Sequence, residues 1–121
     1  MPYVVVVDDE EPVRTALQRL LRAAGLEADG YASGKEFLAA PRRPDCVVVD
    51  LHMPLLNGQA MLRQIRKVNT GLPVVIITAH DTPETRSECS AAGAAAYLCK
   101  PLDERLLLNA ISVALSKSLR H

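Results

Sequence analysis

Four apolar runs in this sequence end at polar side chains that could take part in chemistry. Asp8 and Asp9 follow the first run, Asp50 ends the second, Thr78 ends the third and Lys100 follows the fourth. Three carboxylates in one cleft would repel and raise one another's pKa values, and a hard divalent cation relieves that repulsion. Ligands that are all oxygen, with positions left open for water, favour Mg²⁺. The set therefore indicates that Asp50 is a phosphate-accepting nucleophile and that a magnesium site lies beside it. The Thr78 hydroxyl and the Lys100 ammonium would neutralise charge on the phosphoryl oxygens.

Each of these residues also has an ordinary structural explanation. Asp8 and Asp9 could simply cap the first helix, because acidic side chains are common in first turns. A surface lysine usually serves only solubility. The joint placement of the residues at strand ends favours the functional interpretation. Lys100 also precedes Pro101, and a cis bond there would fix the lysine inward, although the sequence leaves the isomer open.

The elements that position these residues alternate strictly between strand and helix, five times, without a linker or a low-complexity segment. Apolar runs predict the strands, and helical spacing of apolar residues with Ser, Thr or Asp caps predicts the helices. Strands are predicted at residues 4–7, 26–31, 46–50, 74–78 and 95–98, and helices at 12–24, 33–40, 58 onward, 82–93 and 103 to near residue 121.

This alternation predicts an α/β fold, a doubly wound parallel sheet with helices on both faces. The runs at Val4, Val47 and Val74 are apolar throughout and belong in the middle of the sheet, whereas those at Leu26 and Ala95 fit its edges. The strand order 2-1-3-4-5 satisfies both conditions with right-handed crossovers. Function in such a sheet lies at the carboxyl ends of the strands, near the switch point between strands 1 and 3.

Composition limits the possible functions. The 121 residues fit one domain, residues 1–121, whose core must be aliphatic because 49% of the residues are apolar and only 3% are aromatic. Lys plus Arg and Asp plus Glu both number 14, which argues against nucleic-acid binding by this domain. No signal sequence and no run of membrane-spanning length is present, so we expect a cytoplasmic protein without a membrane partner. Cys46, Cys89 and Cys99 have neither disulfide nor zinc spacing.

The ordered motifs resemble a known family over essentially the whole chain. They are Asp8-Asp9, Asp50, Thr78-Ala79 and Lys100-Pro101, together with Asp-x-x-Met-Pro-x-x-x-Gly over residues 50–58. This set is similar to the receiver domain of two-component response regulators. The segments 50–54 and 77–80 are most similar to FixJ-type receivers that precede a LuxR-type helix-turn-helix, so a DNA-binding output domain outside this chain is a possible partner.

The resemblance implies a flavodoxin-like fold that takes a phosphoryl group from a histidine kinase phosphohistidine onto Asp50. It implies a phosphoacceptor switch that participates in its own phosphorylation and dephosphorylation, and not an enzyme. Asp9 and Asp50 would bind Mg²⁺ directly, Asp8 partly through water, and His52 through its backbone carbonyl. Thr78 and Lys100 would contact the phosphoryl group.

The resemblance also implies a conformational switch. Tyr97, three residues before Lys100, matches the switch aromatic, although an ordinary edge-strand tyrosine explains its position equally well. Thr78 would move toward the phosphate and the tyrosine ring would turn inward behind it. The fourth helix has no large aliphatic residue to hold it in place.

The last helix has more apolar surface than one sheet face needs. Its core stripe is predicted to contain Leu106, Leu107, Ala110, Ile111, Ala114 and Leu115, widened by Leu108 and Val113. The extra surface predicts phosphorylation-dependent dimerisation through the fourth helix, the fifth strand and the fifth helix.

His52 and His80 each lie two residues after a motif residue. They either modulate the lifetime of the acyl phosphate or are solvent-exposed loop residues. A transition-metal site formed by both is a further alternative, and the sequence leaves these possibilities open.

Three other function classes fit the sequence less well. A phosphatase of the haloacid dehalogenase type needs a second Asp two residues after the nucleophile, where this chain has His52. A flavin-binding module needs a Ser, Thr or Gly-rich loop after the first strand, where Asp8 to Glu11 would repel a cofactor phosphate. A P-loop kinase needs a Gly-Lys-Ser/Thr sequence, which is absent.

Overall fold

The computed structural model of the protein describes residues 1–53, 57–68 and 71–118. Five strands and five helices alternate along these ranges, as the apolar periodicity predicted. The strands are β1 (Tyr3–Val7), β2 (Glu27–Tyr31), β3 (Cys46–Asp50), β4 (Val74–Thr78) and β5 (Ala96–Cys99). The helices are α1 (Glu11–Ala23), α2 (Gly34–Ala39), α3 (Gly58–Val68), α4 (Pro83–Ala91) and α5 (Glu104–Ser118).

The five strands form one parallel sheet in the order β2-β1-β3-β4-β5, which confirms the predicted topology. The central strands β1, β3 and β4 are buried along their whole length, because helices cover both of their faces. The edge strands are less buried, and β2 contains the exposed Asp29 followed by Gly30, which has no side chain to bury. Val7 pairs with Val49 and Val49 with Ile76, so the carboxyl ends of the central strands lie level with one another.

Alternation along the strands divides the core into two layers. One layer joins Val5, Val7, Val47, Val49 and Ile76 to α2, α3 and α4 through side chains that include Phe37, Leu62, Ile65 and Cys89. The other joins Val4, Val6, Val48, Val75 and Ile77 to α1 and α5 through Leu17, Leu21, Leu107 and Ile111. The helices on the two faces are therefore α2, α3 and α4 on one and α1 and α5 on the other.

Side-chain caps begin the two helices that follow the functional strand ends. The Thr82 hydroxyl accepts a hydrogen bond from the Thr85 backbone at the start of α4. The Asp103 carboxylate accepts bonds from the backbone amides of Arg105 and Leu106 at the start of α5. Both caps were predicted from the sequence, and they fix where α4 and α5 leave the sheet edge.

Helix α4 is the least firmly packed of the long helices. Cys89 is its only buried residue, which agrees with the prediction from its missing aliphatic side chains.

The predicted core stripe of α5 is wrong at one position. Leu107, Ile111, Ala114 and Leu115 are buried, but Leu106 is 58% exposed. Leu106 precedes Leu107 by one residue, which is about 100° on a helix, so the helix cannot turn both side chains fully toward the sheet. Val113 is also exposed, on the same side of the helix as Leu106.

None of the helices in the described ranges has the length and apolar content needed to cross a membrane.

Candidate functional site

The predicted site residues meet at the carboxyl edge of the sheet. Asp8 directly follows β1, Asp50 is the last residue of β3, Thr78 is the last residue of β4 and Lys100 directly follows β5. Asp8, Asp50 and Thr78 are the buried polar residues of the described chain, with exposures of 0%, 4% and 0%. Burying polar side chains costs free energy unless they find partners, so their burial together marks a built site.

Three carboxylates form the acidic part of this site. One oxygen from each of Asp8, Asp9 and Asp50 lies within 4.8 Å of the others, and only Asp9 is exposed. The Asp8 Oδ1 atom accepts a hydrogen bond of 2.9 Å from the Glu10 backbone amide. Arg14 donates a bond of 2.8 Å to the Asp8 carbonyl and so fixes the loop between β1 and α1. A cluster of hard oxygen donors with one exposed member fits a hydrated Mg²⁺ ion.

Lys100 bridges the two buried carboxylates. Its Nζ atom lies 3.4 Å from Asp8 Oδ2 and 3.3 Å from Asp50 Oδ2, and the lysine side chain is 17% exposed. A weaker contact of 3.9 Å joins it to Glu10. The Lys100-Pro101 peptide bond, whose isomer the sequence left open, is cis. One ammonium thus faces three clustered carboxylates, and the site retains an excess of negative charge.

The pKa values of the buried groups follow from this arrangement. Burial raises the pKa of Asp8, and the neighbouring Asp50 carboxylate adds to the effect, while the Glu10 amide and Lys100 oppose it. Burial alone would lower the pKa of Lys100, but the attraction of Asp50 and Asp8 outweighs it and the pKa is raised. Lys100 is therefore held in its charged form, whereas the charge on Asp8 is only partly compensated.

The backbone beside Asp50 is shaped by close packing. The His52 amide donates a bond of 3.2 Å to Asp50 Oδ1. Gly58 begins α3 directly against this loop, and a Cβ atom on it would lie 2.8 Å from the Leu51 Cα atom and 3.1 Å from the Asp50 carbonyl oxygen. Only glycine fits there, which gives a physical reason for the final position of the Asp-x-x-Met-Pro-x-x-x-Gly motif. Pro54 of that motif lies outside the described residues.

Thr78 is buried with its hydroxyl turned to the loop that follows β4. Its Oγ1 atom donates to the His80 carbonyl at 3.2 Å and accepts from the His80 amide at 3.0 Å. Its backbone carbonyl accepts a bond of 2.7 Å from the Lys100 amide, which ties the ends of β4 and β5 together. The Thr78 hydroxyl therefore ties the end of β4 to His80 in the loop that leads to α4.

Tyr97 lies on β5 and is contacted by Arg86 of α4, and its assignment as a switch residue stays a prediction. The tyrosine is half-buried, and its hydroxyl oxygen is buried without a hydrogen-bond partner among the described residues. Burial and the neighbouring Asp81 carboxylate raise the pKa of Tyr97 to about 12. The Arg86 guanidinium lies 4.7 Å from the centre of the tyrosine ring. Arg86 and Asp81 were not singled out from the sequence, where an exposed pair of opposite charges five residues apart is unremarkable.

The two histidines near the site contact each other. The rings of His52 and His80 lie 5.2 Å apart, edge to face, and both residues are exposed. Their positions two residues after Asp50 and Thr78 placed them near the site, but their mutual contact depends on how the two loops fold toward each other.

The fold and the site together define a flavodoxin-like α/β domain with an acidic, lysine-bridged cleft at its switch point. A family model described as the response regulator receiver domain matches residues 4–112. The chain is 40% identical over 102 residues to the DNA-binding transcriptional regulator NtrC of Salmonella typhimurium, an alignment that covers 83% of this chain and 22% of NtrC. The chain thus spans about a fifth of the length of this relative.

Solved structures agree with this assignment. A response regulator receiver protein from Burkholderia phymatum is 45% identical, with a TM-score of 0.84 and coverage of 96% of both chains. A CheY-like receiver domain protein from Methanospirillum hungatei shares the fold, with a TM-score of 0.93 at 24% identity over 99% of this chain and 98% of that one. The chain belongs to the response regulator receiver domain family. The finer similarity to FixJ-type receivers stays a prediction.

Proposed function

We propose that this domain is a phosphoacceptor switch in which Asp50 receives a phosphoryl group from the phosphohistidine of a sensor histidine kinase. The observation that carries the proposal is the buried Asp50 carboxylate, held 3.3 Å from the Lys100 ammonium at the edge where two further acids converge. In the transfer, an Asp50 oxygen forms a bond to phosphorus, the phosphorus–nitrogen bond of the donor breaks, and the imidazole leaves with the bonding electron pair.

The acidic cluster is the proposed Mg²⁺ site. Asp8, Asp9 and Asp50 would hold the ion, with the His52 backbone carbonyl as a further ligand. All of these donors are oxygen atoms and the carboxylates lie within 4.8 Å, which is the chemistry that Mg²⁺ prefers. When bound, the ion supplies positive charge that offsets the phosphoryl oxygens.

Lys100 and Thr78 would complete the neutralisation of the phosphoryl group. The Lys100 ammonium already contacts the acceptor carboxylate and can bind a phosphoryl oxygen as a point charge. Thr78 would release the His80 backbone and donate its hydroxyl to a second phosphoryl oxygen. These roles make the domain a participant in its own phosphorylation and dephosphorylation, and not a turnover enzyme.

Labelling with acetyl phosphate tests the acceptor. The wild-type domain in Mg²⁺ should gain the mass of one phosphoryl group in intact-mass spectrometry, and Asp50→Asn should gain none. Asp29→Asn is the matched control, because Asp29 is exposed on β2 and lies outside the acidic cluster. Phosphorylation of Asp50→Asn equal to that of the control would refute the assignment.

The output surface is proposed to be the α4–β5–α5 face. Thr78 and Tyr97 would change position after phosphorylation, and Leu106 and Val113 on α5 are exposed apolar side chains that suit a homodimer interface. Sedimentation with beryllofluoride, a phosphoryl mimic, should show a dimer for the wild type and a monomer for Leu106→Asp. A wild-type domain that is monomeric both with and without beryllofluoride contradicts the proposed dimerisation.

The relatives suggest what kind of longer protein this domain belongs to. NtrC is described as a DNA-binding transcriptional regulator and is much longer than this chain. We propose that residues 1–121 form the receiver part of a regulator with a DNA-binding output domain, while the receiver itself, with no net charge, binds no nucleic acid. A cytoplasmic location belongs to the proposal, because the phosphohistidine donor would be met there.

A further inference from the structure

The contact between α4 and β5 contains a cluster that the proposed phosphoryl chemistry does not use. We propose that Arg86 is a positioning residue that clamps the loop between β4 and α4 to Tyr97 and thereby holds the domain in its unphosphorylated arrangement. This proposal rests on the proposed function, since it concerns the switch that phosphorylation of Asp50 would operate.

Three separate contacts converge on the one guanidinium. Arg86 Nη2 donates to Asp81 Oδ2 at 2.9 Å, and the same nitrogen lies 3.8 Å from the Cys99 Sγ atom. The guanidinium carbon lies 4.7 Å from the centre of the Tyr97 ring. Arg86 therefore joins α4, on which it lies, to the loop before the helix and to two residues of the edge strand β5.

This clamp matters because apolar packing holds α4 only weakly, and other polar contacts to this part of the chain come from α3 and not from β5. Gln59 donates to Glu88, and Arg66 donates to the Gly93 carbonyl. Cys89 is the only buried residue of the helix, so its apolar packing is weak.

The Tyr97 hydroxyl is buried near the Asp81 carboxylate but makes no hydrogen bond of normal geometry among the described residues, so polar contacts hold the ring only loosely. The Arg86 guanidinium over the ring adds a cation–π contact, and the same guanidinium pairs with Asp81, the carboxylate beside the Tyr97 hydroxyl.

The clamp is connected to the phosphoacceptor site through Thr78. Its hydroxyl holds the His80 backbone, and His80 directly precedes Asp81. If Thr78 turns toward a phosphoryl group on Asp50, both bonds to His80 are lost and the loop that contains Asp81 is released. Asp81 is then no longer held in a fixed position, so its ion pair with Arg86 weakens. The contact of Arg86 with the Tyr97 ring weakens with it. The contacts of Arg86 thus stabilise the unphosphorylated arrangement, and removing them shifts the equilibrium toward the phosphorylated arrangement.

The first experiment tests the clamp without any phosphoryl chemistry. Amide hydrogen exchange is measured for unliganded wild type, Arg86→Met and Arg19→Met. Arg19 is the matched control, an exposed helical arginine on the opposite face of the sheet that makes no polar contact in the described part of the chain. Exchange in α4 and the loop before it should increase in Arg86→Met and stay at the wild-type level in Arg19→Met. Equal exchange in all three proteins would overturn the clamp.

The second experiment tests the coupling to the site. Beryllofluoride binding is followed by the NMR signals of residues 78–82. The concentration for half-saturation should fall about threefold in Arg86→Met, because the variant already populates more of the arrangement that binds beryllofluoride. Arg86→Lys should give an intermediate value, since lysine keeps the ion pair but loses the planar stacking. Increased exchange with unchanged half-saturation would overturn the coupling. Failure of the wild type to bind beryllofluoride would refute the proposed function instead, and the exchange result would still decide the clamp.

Discussion

Replacing Asp8 with asparagine should stabilise the domain in the absence of Mg²⁺. Asp8 is fully buried, and its pKa is raised mainly by that burial, which means that the folded state disfavours its charged form. A carboxyl group with a raised pKa costs stability at neutral pH, and the cost disappears as the pH falls through that pKa. Asparagine keeps an oxygen that can accept the bond from the Glu10 amide, but it has no charge to desolvate.

The magnitude follows from the neighbouring charges. With an oxygen of Asp50 within 4.8 Å, the repulsion is at least about 3.5 kcal/mol at an effective dielectric constant of about 20. The attraction to the Lys100 ammonium at 3.4 Å is about 5 kcal/mol on the same scale. Exposed Asp9 adds a smaller, screened repulsion, so the Coulomb contributions nearly cancel and the cost of burying the charge decides the sign. The new amide group would face Lys100 without the charge that attracts it, which offsets part of the gain. We therefore expect the free energy of unfolding of Asp8→Asn to exceed that of the wild type by only about 1 kcal/mol.

Urea unfolding in EDTA and in excess Mg²⁺ measures the effect. In EDTA the midpoint for Asp8→Asn should exceed that of the wild type, with an unchanged slope. In Mg²⁺ the wild type should gain more stability than the variant, because the proposed Mg²⁺ site includes the carboxylate that the variant lacks. Asp29→Asn serves as the control and should respond to Mg²⁺ like the wild type. An Asp8→Asn variant that is less stable than the wild type in EDTA would refute the electrostatic argument.

Three further predictions concern packing and titration. Gly58→Ala should lower the free energy of unfolding by about 1–3 kcal/mol, measured by urea denaturation, because its Cβ atom would lie 2.8 Å from the Leu51 backbone; an unchanged midpoint contradicts that contact. Leu107→Ala should cost about 2–5 kcal/mol while Leu106→Ala changes stability by less than about 0.5 kcal/mol, and equal losses would contradict the orientation of α5. Tyr97 should ionise near pH 12 in an ultraviolet difference titration, and its contribution to stability should be lost as the pH rises from about 10 through that value. Buried Tyr3 also has a raised pKa, so Tyr97→Phe should lose the absorbance change of one tyrosine from the late part of the curve, and an unchanged late absorbance change contradicts the assignment.

The sequence predicted the fold because its strands and helices are locally consistent. The runs beginning at Val4, Val47 and Val74 are too apolar to have an exposed face, which fixed the centre of the sheet and hence the strand order. That order alone brought the ends of four strands together, so the candidate site could be predicted without any side-chain geometry.

The parts that could not be predicted depend on contacts between loops and on the exact rotation of a helix. Leu106 and Leu107 are chemically identical, and only the packing of α5 against the sheet decides which one is buried. The contact of Arg86 with Tyr97 joins residues on two different elements, and the His52–His80 pair joins two loops. A single sequence contains no period or spacing that signals such pairs.

The two layers of the core differ in how firmly their helices are packed, and the proposed switch depends on that difference. On the α1 and α5 face, helices with several buried aliphatic residues pack against the sheet and resist displacement. On the opposite face α4 buries only Cys89, and polar contacts, such as that of Arg86 with the Tyr97 ring and that of Gln59 with Glu88, contribute to holding it. Polar contacts at an exposed surface are weak and can be exchanged for others at little cost. Under the proposed function, a charge added at Asp50 would therefore displace α4 and β5 before it disturbs the rest of the core, and the position of α4 would be the output of the site.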